Sequence, residues 1–493
     1  VIGFSSDVAP GEVKTVHYFG QDIVLYRGLA GALSAVDKTC PHLGAHLGGG
    51  KVEGDCLRCP FHGWLFDGEG RCVEVPYAPK VPPKAAVRAW HLREQNGTIL
   101  CWYCPHGEPP AWEIPPLDEE GWMPNRTIRW EIKSHPQEIG ENTVDITHLG
   151  PVHHAIAGEV LSLEQNAHHA HIRLRMVATG APIQMPDEVN DVELDVSMHG
   201  LGHIVSTTHV TTAGLRTRQR IYPTVIDHER CAIFGVNNIM KMPDPGYTKE
   251  IDDIFYQAFI TDFPRDFPIW ENKAYVDRPL LAGGDGPIGR YRRWSRQFYE
   301  GPKDTAEAAA PQAASPAPGG RGTILDRITH WARRLPTVGP LAATLSSKLR
   351  NGAAAAPPPV EPEEPITGKL EGRAPVAARP AHRFGSVDAY FKTLEARFDP
   401  AAAGDLHAVF QWVLTGDDAR SHFVEIKAGS AQASAGTHPA PTVAIEMSAD
   451  DYLRLINGEL NGAMAFSTGR GKLRGPVRLA MKMQRIFPLD RAV

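Results

Sequence analysis

No apolar run in this chain of 493 residues reaches the roughly 18–20 residues that a helix needs to span a bilayer. Cysteine is scarce: seven residues, an odd number spread over a long chain. That excludes a secreted disulfide framework and points to a reducing, cytoplasmic setting. Net charge is only −6, so no partnership with nucleic acid is expected. Aromatic residues are missing between Trp331 and Phe384. The chain also lacks an initiating Met; it starts at Val1, which leaves open a removed anchor or targeting segment.

What is present is ordinary for globular protein, 42% hydrophobic and 22% charged, in a chain too long for one core. Residues 1–115 read as short strands between Gly-rich turns, among them Gln21–Arg27, Leu33–Cys40 and the apolar run Thr98–Tyr103. Pro109, Pro110, Pro115 and Pro116 mark the exit. Residues 116–300 mix helical stretches (Gln137–Leu149, Ile251–Asp262) with strand-like ones (Val192–Val210, Thr217–Val225), the order expected of an α+β domain with an antiparallel sheet. Residues 301–383 are an Ala/Pro-rich linker, too poor in apolar area to fold alone. Within it, Leu325, Ile328, Trp331 and Leu335 repeat at helical spacing beside Arg327, Arg333 and Arg334. A short helix docking on its own protein is the favoured reading there, with peripheral membrane contact as the alternative. Residues 384–488 regain globular texture as a small α/β domain: Tyr390–Phe398 is helix-like, Val409–Leu414 strand-like, and Ser448–Ile456 a capped helix.

The most informative residues are Cys40 and His42 in CPHLGAHLGG and Cys59 and His62 in CPFHGW. A Cys-x-His pair and a Cys-x2-His pair stand 16 residues apart. Each offers one thiolate and one imidazole, the set needed by a [2Fe–2S] cluster with two Cys on one iron and two His on the other. Zinc also takes Cys and His in fours, but its pairs usually group like ligands together. His46 is a decoy inside the first loop, and the two-pair symmetry favours His42. Cys101 and Cys104 form a C-x2-C inside an apolar run and read as buried strand thiols rather than a second metal site.

A second constellation lies in Glu141-Asn-Thr-Val-Asp145-Ile-Thr-His148-Leu-Gly-Pro-Val-His153. On a helix, Asp145 and His148 would share a face, with Gly150-Pro151 ending the helix and His153 following from the turn. Two His and one carboxylate with open positions form the facial triad of non-haem Fe(II) oxygenases. Asp145 is either the carboxylate ligand or an acceptor that orients an imidazole. In the second case the ligand is a later Asp, and spacing alone leaves Asp252, Asp253, Asp262, Asp266, Asp277 and Asp285 as candidates.

Together these motifs resemble the Rieske non-haem iron oxygenases over essentially all of residues 1–300. The resemblance implies an all-β Rieske domain followed by a helix-grip-like catalytic domain. The family pattern N-x2,3-D-x2-H-x4-H falls on Asn142, Asp145, His148 and His153. It implies His148 and His153 as iron ligands, with adjacent His154 a poorer fit, and Asp145 as the bridge to the Rieske His of a neighbouring subunit. Asp266 in RDFPIWENK matches the third family ligand. CPHLGAHLGGGKV, CPFHGWLFDGEGRCVEVPYA, EIGENTVDITHL and GDGPIGRYRRWSRQFY resemble the cholesterol 7-desaturases, and somewhat less the ketosteroid 9α-hydroxylase oxygenase subunits. Gly150-Pro151 and the tail beyond residue 300 depart from that pattern. The end of the tail, with Gly458-Glu-Leu460, Ala463-Met-Ala-Phe466, Gly469–Gly475 and Ala480-Met-Lys482, resembles the sterol carrier protein family.

These resemblances imply an oxygenase component with a [2Fe–2S] cluster and a mononuclear Fe(II). It would use O2, with electrons from a ferredoxin or flavin reductase and ultimately NAD(P)H, in a homotrimer. The expected substrate is a sterol or steroid, oxidised by 7-desaturation or hydroxylation. Oxidation of a C-4 methyl, and a Rieske electron carrier with a lipid-binding tail, are the alternatives.

Overall fold

The computed structural model describes residues 1–180, 185–299 and 383–489. The amphipathic segment near Trp331 and nearly all of the expected linker lie outside the described residues.

The N-terminal body contains β1 (Gly3–Phe4), β2 (Val13–Tyr18), β3 (Gln21–Arg27), β4 (Leu33–Asp37), β5 (Lys51–Glu53), β6 (Cys56–Arg58), β7 (Leu65–Phe66), β8 (Cys72–Glu74), β9 (Leu92–Gln95) and β10 (Thr98–Cys101). They form three small sheets ordered β1-β10-β9, β2-β3-β4 and β5-β6-β7-β8. Two expectations are trimmed here. The strand expected over Leu33–Cys40 stops at Asp37, because the chain turns into the first Cys-His loop. The Thr98–Tyr103 strand stops at Cys101, so Cys104 lies beyond it.

The middle body is one seven-stranded antiparallel sheet. Its strands are β11 (Arg126–Ile132), β12 (Ala155–Asn166), β13 (His169–Gly180), β14 (Met185–His199), β15 (Ile204–Val210), β16 (Leu215–Val225) and β17 (Cys231–Ile239). The spatial order is β11-β17-β16-β15-β14-β13-β12. The single strand expected over Val192–Val210 is a hairpin: Gly200, at φ +60, and Gly202 turn the chain between β14 and β15. Five helices accompany the sheet: α1 (Pro136–Glu141), α2 (Leu149–His153), α3 (Pro245–Asp262), α4 (Phe267–Asn272) and α5 (Ile288–Ser295). Helix α3 starts on an Asp244 side chain that accepts from the Tyr247 amide, with Pro245 in the first turn, a strong start signal. It packs along the sheet through Tyr247, Ile251, Ile254 and Phe259.

The C-terminal body is a five-stranded sheet with helices. Its strands are β18 (Ala408–Thr415), β19 (Arg420–Lys427), β20 (Ser430–Ala435), β21 (Val443–Ser448) and β22 (Gly471–Arg474), ordered β20-β19-β18-β21-β22 with β18 and β21 parallel. Its helices are α6 (Val387–Lys392), α7 (Pro400–Ala403), α8 (Ala449–Ile456), α9 (Gly462–Ser467) and α10 (Val477–Ile486). The helix-like stretch expected over Tyr390–Phe398 is shorter than predicted, ending at Lys392. Ser448 caps α8 as expected, accepting from the Asp451 amide.

This body docks on the middle one. Val192, Val210, Leu215, Ile239, Tyr247 and Ile251 share one apolar core with Phe391, Trp412, Tyr452 and Phe466. Ser467 Oγ donates to the Ala213 carbonyl at 2.6 Å. Gly214, at φ +62, faces Met464 so closely that a Cβ would lie 2.8 Å from its sulfur.

Candidate functional site

Cys40 and Cys59 occupy equivalent places in two matching loops. In the first, the Cys40 amide donates to the Ala45 carbonyl at 2.9 Å and the Gly44 amide to the Cys40 carbonyl at 3.0 Å. In the second, the Cys59 amide donates to the Trp64 carbonyl at 2.8 Å and the Gly63 amide to the Cys59 carbonyl at 3.2 Å. Both glycines are left-handed, at φ +78 and +73, which is why each loop needs one there. The thiols are buried, at 2% and 4% exposure. Burial, with the Cys59 thiol alongside, pushes the Cys40 thiol above its usual range. A cationic centre bound between the two sulfurs would hold both as thiolates.

The imidazoles of His42 and His62 lie 4.6 Å apart, centroid to centroid. His42 stacks on Trp64 at 4.7 Å and 10°, and the Trp64 indole donates to Tyr77 Oη at 2.9 Å. His42 Nδ1 is buried without a hydrogen-bond partner among the described residues, an acceptor fit for a metal. The donor chemistry therefore suits a Cys2His2 cluster. His46 is turned away: its Nδ1 accepts from the Gly48 amide at 3.0 Å and its Nε2 lies 4.0 Å from Asp22.

The second constellation is built differently. The continuous helix expected over Gln137–Leu149 is two short helices. α1 ends at Glu141, and Asn142–His148 turns before α2 begins. Gly150 and Pro151 lie inside α2 rather than ending a helix. Proline is tolerated in a first turn because those N–H groups have no intrahelical acceptor. Asp145 and His148 are therefore neighbours in a turn, not on one helical face. The His148 Nδ1 sits against the backbone carbonyl of Asp145, while the Asp145 carboxylate is 3.9 Å away. That carboxylate accepts instead from Thr147 Oγ1 at 3.0 Å and from the Thr147 amide at 3.2 Å.

His153, at the end of α2, meets two carboxylates. Its Nε2 lies 3.2 Å from Asp266 Oδ2, and its Nδ1 lies 2.9 Å from Asp262 Oδ2. Burial alone would lower the His153 pKa, but Asp262 and Asp266 outweigh it and raise it to about 9. Burial lowers that of His148. One nitrogen each from His148 and His153 and one oxygen of Asp266 lie within 4.8 Å of one another. Asp266 is 3% exposed, in the 3-10 turn Phe263–Asp266 that follows α3. Two imidazoles and a carboxylate at this spacing suit a facial triad.

The other carboxylates fall elsewhere. Asp252 and Asp253 pair with Arg126, and Asp285 accepts from the Ala282 amide. Asp277 is exposed. His154, left-handed at φ +61, lies against Arg265 rather than in the cluster of three.

Sequence reasoning missed the supports of this site. Asp262 stood only among the ligand candidates, yet it holds the far nitrogen of His153. The Asn142 side-chain oxygen Oδ1 accepts from the Trp270 indole at 3.3 Å, tying the turn that carries His148 to the segment that follows Asp266. Glu141, buried, takes both arms of Arg292 at 2.5 and 2.7 Å. Gly286, at φ +88, lets the backbone pass Val144; a Cβ would lie 2.1 Å from the Val144 carbonyl. The quoted motifs containing Glu141, Arg292 and Gly286 were the available signal.

Comparisons with known proteins agree with this architecture. A model described as the Rieske [2Fe-2S] domain matches residues 1–90. One described as the 3-ketosteroid 9alpha-hydroxylase C-terminal domain matches 101–299, and one described as the SCP-2 sterol transfer family matches 391–488. A cholesterol 7-desaturase of Hemicentrotus pulcherrimus is 32% identical over 60% of this chain and 68% of its own length. A 3-ketosteroid-9-alpha-monooxygenase oxygenase component of Rhodococcus rhodochrous is 31% identical over 60% of this chain and 82% of its own. The crystal structure of dicamba monooxygenase bound to dicamba shares the fold, with a TM-score of 0.51 and 19% identity, covering 60% of this chain and 95% of that one.

Proposed function

Starting from a chain that belongs to the Rieske oxygenases, in the family of the cholesterol 7-desaturases and 3-ketosteroid-9-alpha-monooxygenase oxygenase components, we propose that it oxidises a sterol or steroid with O2. Electrons would come from NAD(P)H through a ferredoxin or flavin reductase. The observation that carries this reading is the convergence of His148, His153 and Asp266 in a chain that also pairs Cys40 and His42 with Cys59 and His62. When bound, the cluster supplies single electrons and the mononuclear iron a site for O2 activation.

The chain's own residues do the positioning. The Asp145 backbone carbonyl accepts a hydrogen bond from Nδ1–H of His148 and leaves Nε2 free as a ligand. Asp262 does the same for His153, fixing the tautomer and ring angle. The Asp145 carboxylate keeps 29% exposure and is free on one side to meet a histidine of a neighbouring subunit in a homotrimer. Leu43, Phe61 and Tyr77, more than 60% exposed around the cluster histidines, offer an apolar rim for that subunit or the reductase.

Residues 1–115 would hold the cluster, 116–300 the iron and substrate, 301–383 a linker, and 384–488 a lipid-capturing domain that raises local substrate concentration. No helix among the described residues is long and apolar enough to cross a membrane. A cytoplasmic setting with peripheral membrane contact is the corresponding proposal for its location.

The test is the mass of the product formed from cholesterol and from a 3-ketosteroid with enzyme, reductase and O2. Loss of two hydrogens identifies desaturation, and gain of one oxygen hydroxylation or methyl oxidation. No product from either, with about three irons per chain, would sink the sterol reading. About two irons per chain would identify an electron carrier instead.

A further inference from the structure

The middle sheet carries an unexplained amide on the face covered by α3. Odd-numbered residues of β17 face that helix. A Cβ on Gly235 would meet Phe259 of α3 at 3.0 Å, and Ile233 and Ile239 belong to the cores around Phe259 and Tyr247. The even-numbered Ala232, Phe234 and Val236 pack instead on the N-terminal body, beside Tyr18. Asn237 therefore faces α3. It is 0% exposed, and neither its amide nitrogen nor its oxygen has a hydrogen-bond partner among the described residues. Its neighbour Asn238, on the other face, donates to the Met123 carbonyl and to Asn125. A buried amide with no partner destabilises the ligand-free fold, and an apolar side chain would suit this inner strand better.

Asn237 is not alone. Directly across β16 sits Gln219, and across β15 from that, Ser206. The row separates two apolar zones. Ile204, Ile221 and Ile233 lie on the side of Phe259 and Trp270, towards the iron ligands. Val210, Leu215 and Ile239 lie towards the C-terminal body. Gln219, Ser206 and nearby Leu194 keep partial exposure, so open space begins one side chain from the closed amide. On β17, Asn237 lies between Gly235, which faces Phe259, and Ile239, which shares a core with Tyr247 and Ile251. The eleven positions of α3 from Ile251 to Asp262 span about 16 Å.

We propose that Asn237, with Gln219 beside it, is the polar recognition point of the substrate groove. Its amide binds the one oxygen function of a rigid polycyclic lipid lying between α3 and the sheet. That contact sets which carbon reaches the His148–His153–Asp266 end. An amide both donates and accepts, so it satisfies a hydroxyl or a ketone. The inference rests on the sterol or steroid reading above and adds the residue that orients the ligand.

The experiment titrates cholesterol, cholest-4-en-3-one and the oxygen-free cholestane into the metal-loaded full chain and reads binding through the EPR signal of the mononuclear iron as its nitric oxide adduct, so that lipid held by residues 384–488 is not counted. The native protein should prefer at least one oxygenated ligand to cholestane by about tenfold or more. Asn237→Leu should abolish that preference, keep cholestane binding, and leave the thermal midpoint unchanged or raised, since an orphaned amide is replaced by an apolar side chain. A lowered midpoint with the preference intact means a structural role and overturns the inference. Should Asn237→Leu not fold, Gln219→Leu carries the same expectation, and an intact preference there overturns it. If native protein binds all three equally, this inference fails while the steroid reading stands. If it binds none, the reading fails and takes the inference with it.

Discussion

Cys40, His42, Cys59 and His62 sit on two loops of one small β body, rimmed by exposed Leu43 and Phe61. His148, His153 and Asp266 come from a turn, a short helix and a 3-10 turn, the last two 113 positions apart in sequence, and Asp266 is buried. The two proposed metal sites thus solve opposite problems. Electrons must enter from another molecule, so the first set stands near a surface on loops repeated almost bond for bond. Oxidation of an apolar substrate must exclude water, so the second is embedded beside the apolar core of Phe259, Trp270 and Val144. Each loop of the first set closes with its own backbone hydrogen bonds. The second set has no local frame, and is held by struts such as Trp270–Asn142 and Arg292–Glu141.

If the two sites are independent structures, they should be separable by mutation. His148→Ala should abolish turnover while the cluster keeps its visible absorption and EPR signal. Cys59→Ala should remove those signals while metal analysis still finds the mononuclear iron. Loss of both centres in either variant would break the comparison.

A smaller change tests their connection. Asp145→Asn should keep both metals yet slow turnover severely, with reduction of the cluster by its donor unaffected. Turnover near the native rate would leave Asp145 as nothing more than a turn residue bonded to Thr147.

The smallest effect is expected at the support of the second site. Asp262→Asn should weaken iron retention about 10–100-fold, the usual cost of removing an outer partner of a ligating histidine. The cluster should be untouched. Iron retained as in the native protein, measured by chelator competition, would mean that packing alone holds His153.

The same contrast explains what was readable in advance. The Cys-His pairs were legible because each loop carries its proposed ligands, its left-handed glycine and its closing hydrogen bonds within a few residues. His46 could be set aside by symmetry, and in the structure it caps its own loop. The segment 137–153 was misread in detail. Its residues suit a helix, but the turn at Asn142–His148 is imposed by contacts with Trp270 and Gly286, far along the chain. Pro151 looked like a stop because proline usually ends a helix, yet in a first turn it costs no hydrogen bond. The β14–β15 hairpin was missed although Gly200 and Gly202 mark its turn. Nothing local marked the docking of the C-terminal body, since Ala213, Gly214 and Met464 are unremarkable until they meet.

By itself, the sequence marked Cys40, His42, Cys59 and His62 as the proposed cluster quartet and His148 and His153 as proposed iron ligands, and it divided the chain into three parts, matched in order by three family models, all from short spacings and composition. Only the tertiary structure decided that Asp262 and Asp266 embrace His153 while Asp252 and Asp253 turn to Arg126. It alone left Asn237 buried and without a hydrogen-bond partner among the described residues. The reason is physical: α3 lies along the sheet with its far end at His153, and which side chains face one another depends on how helix and sheet pack.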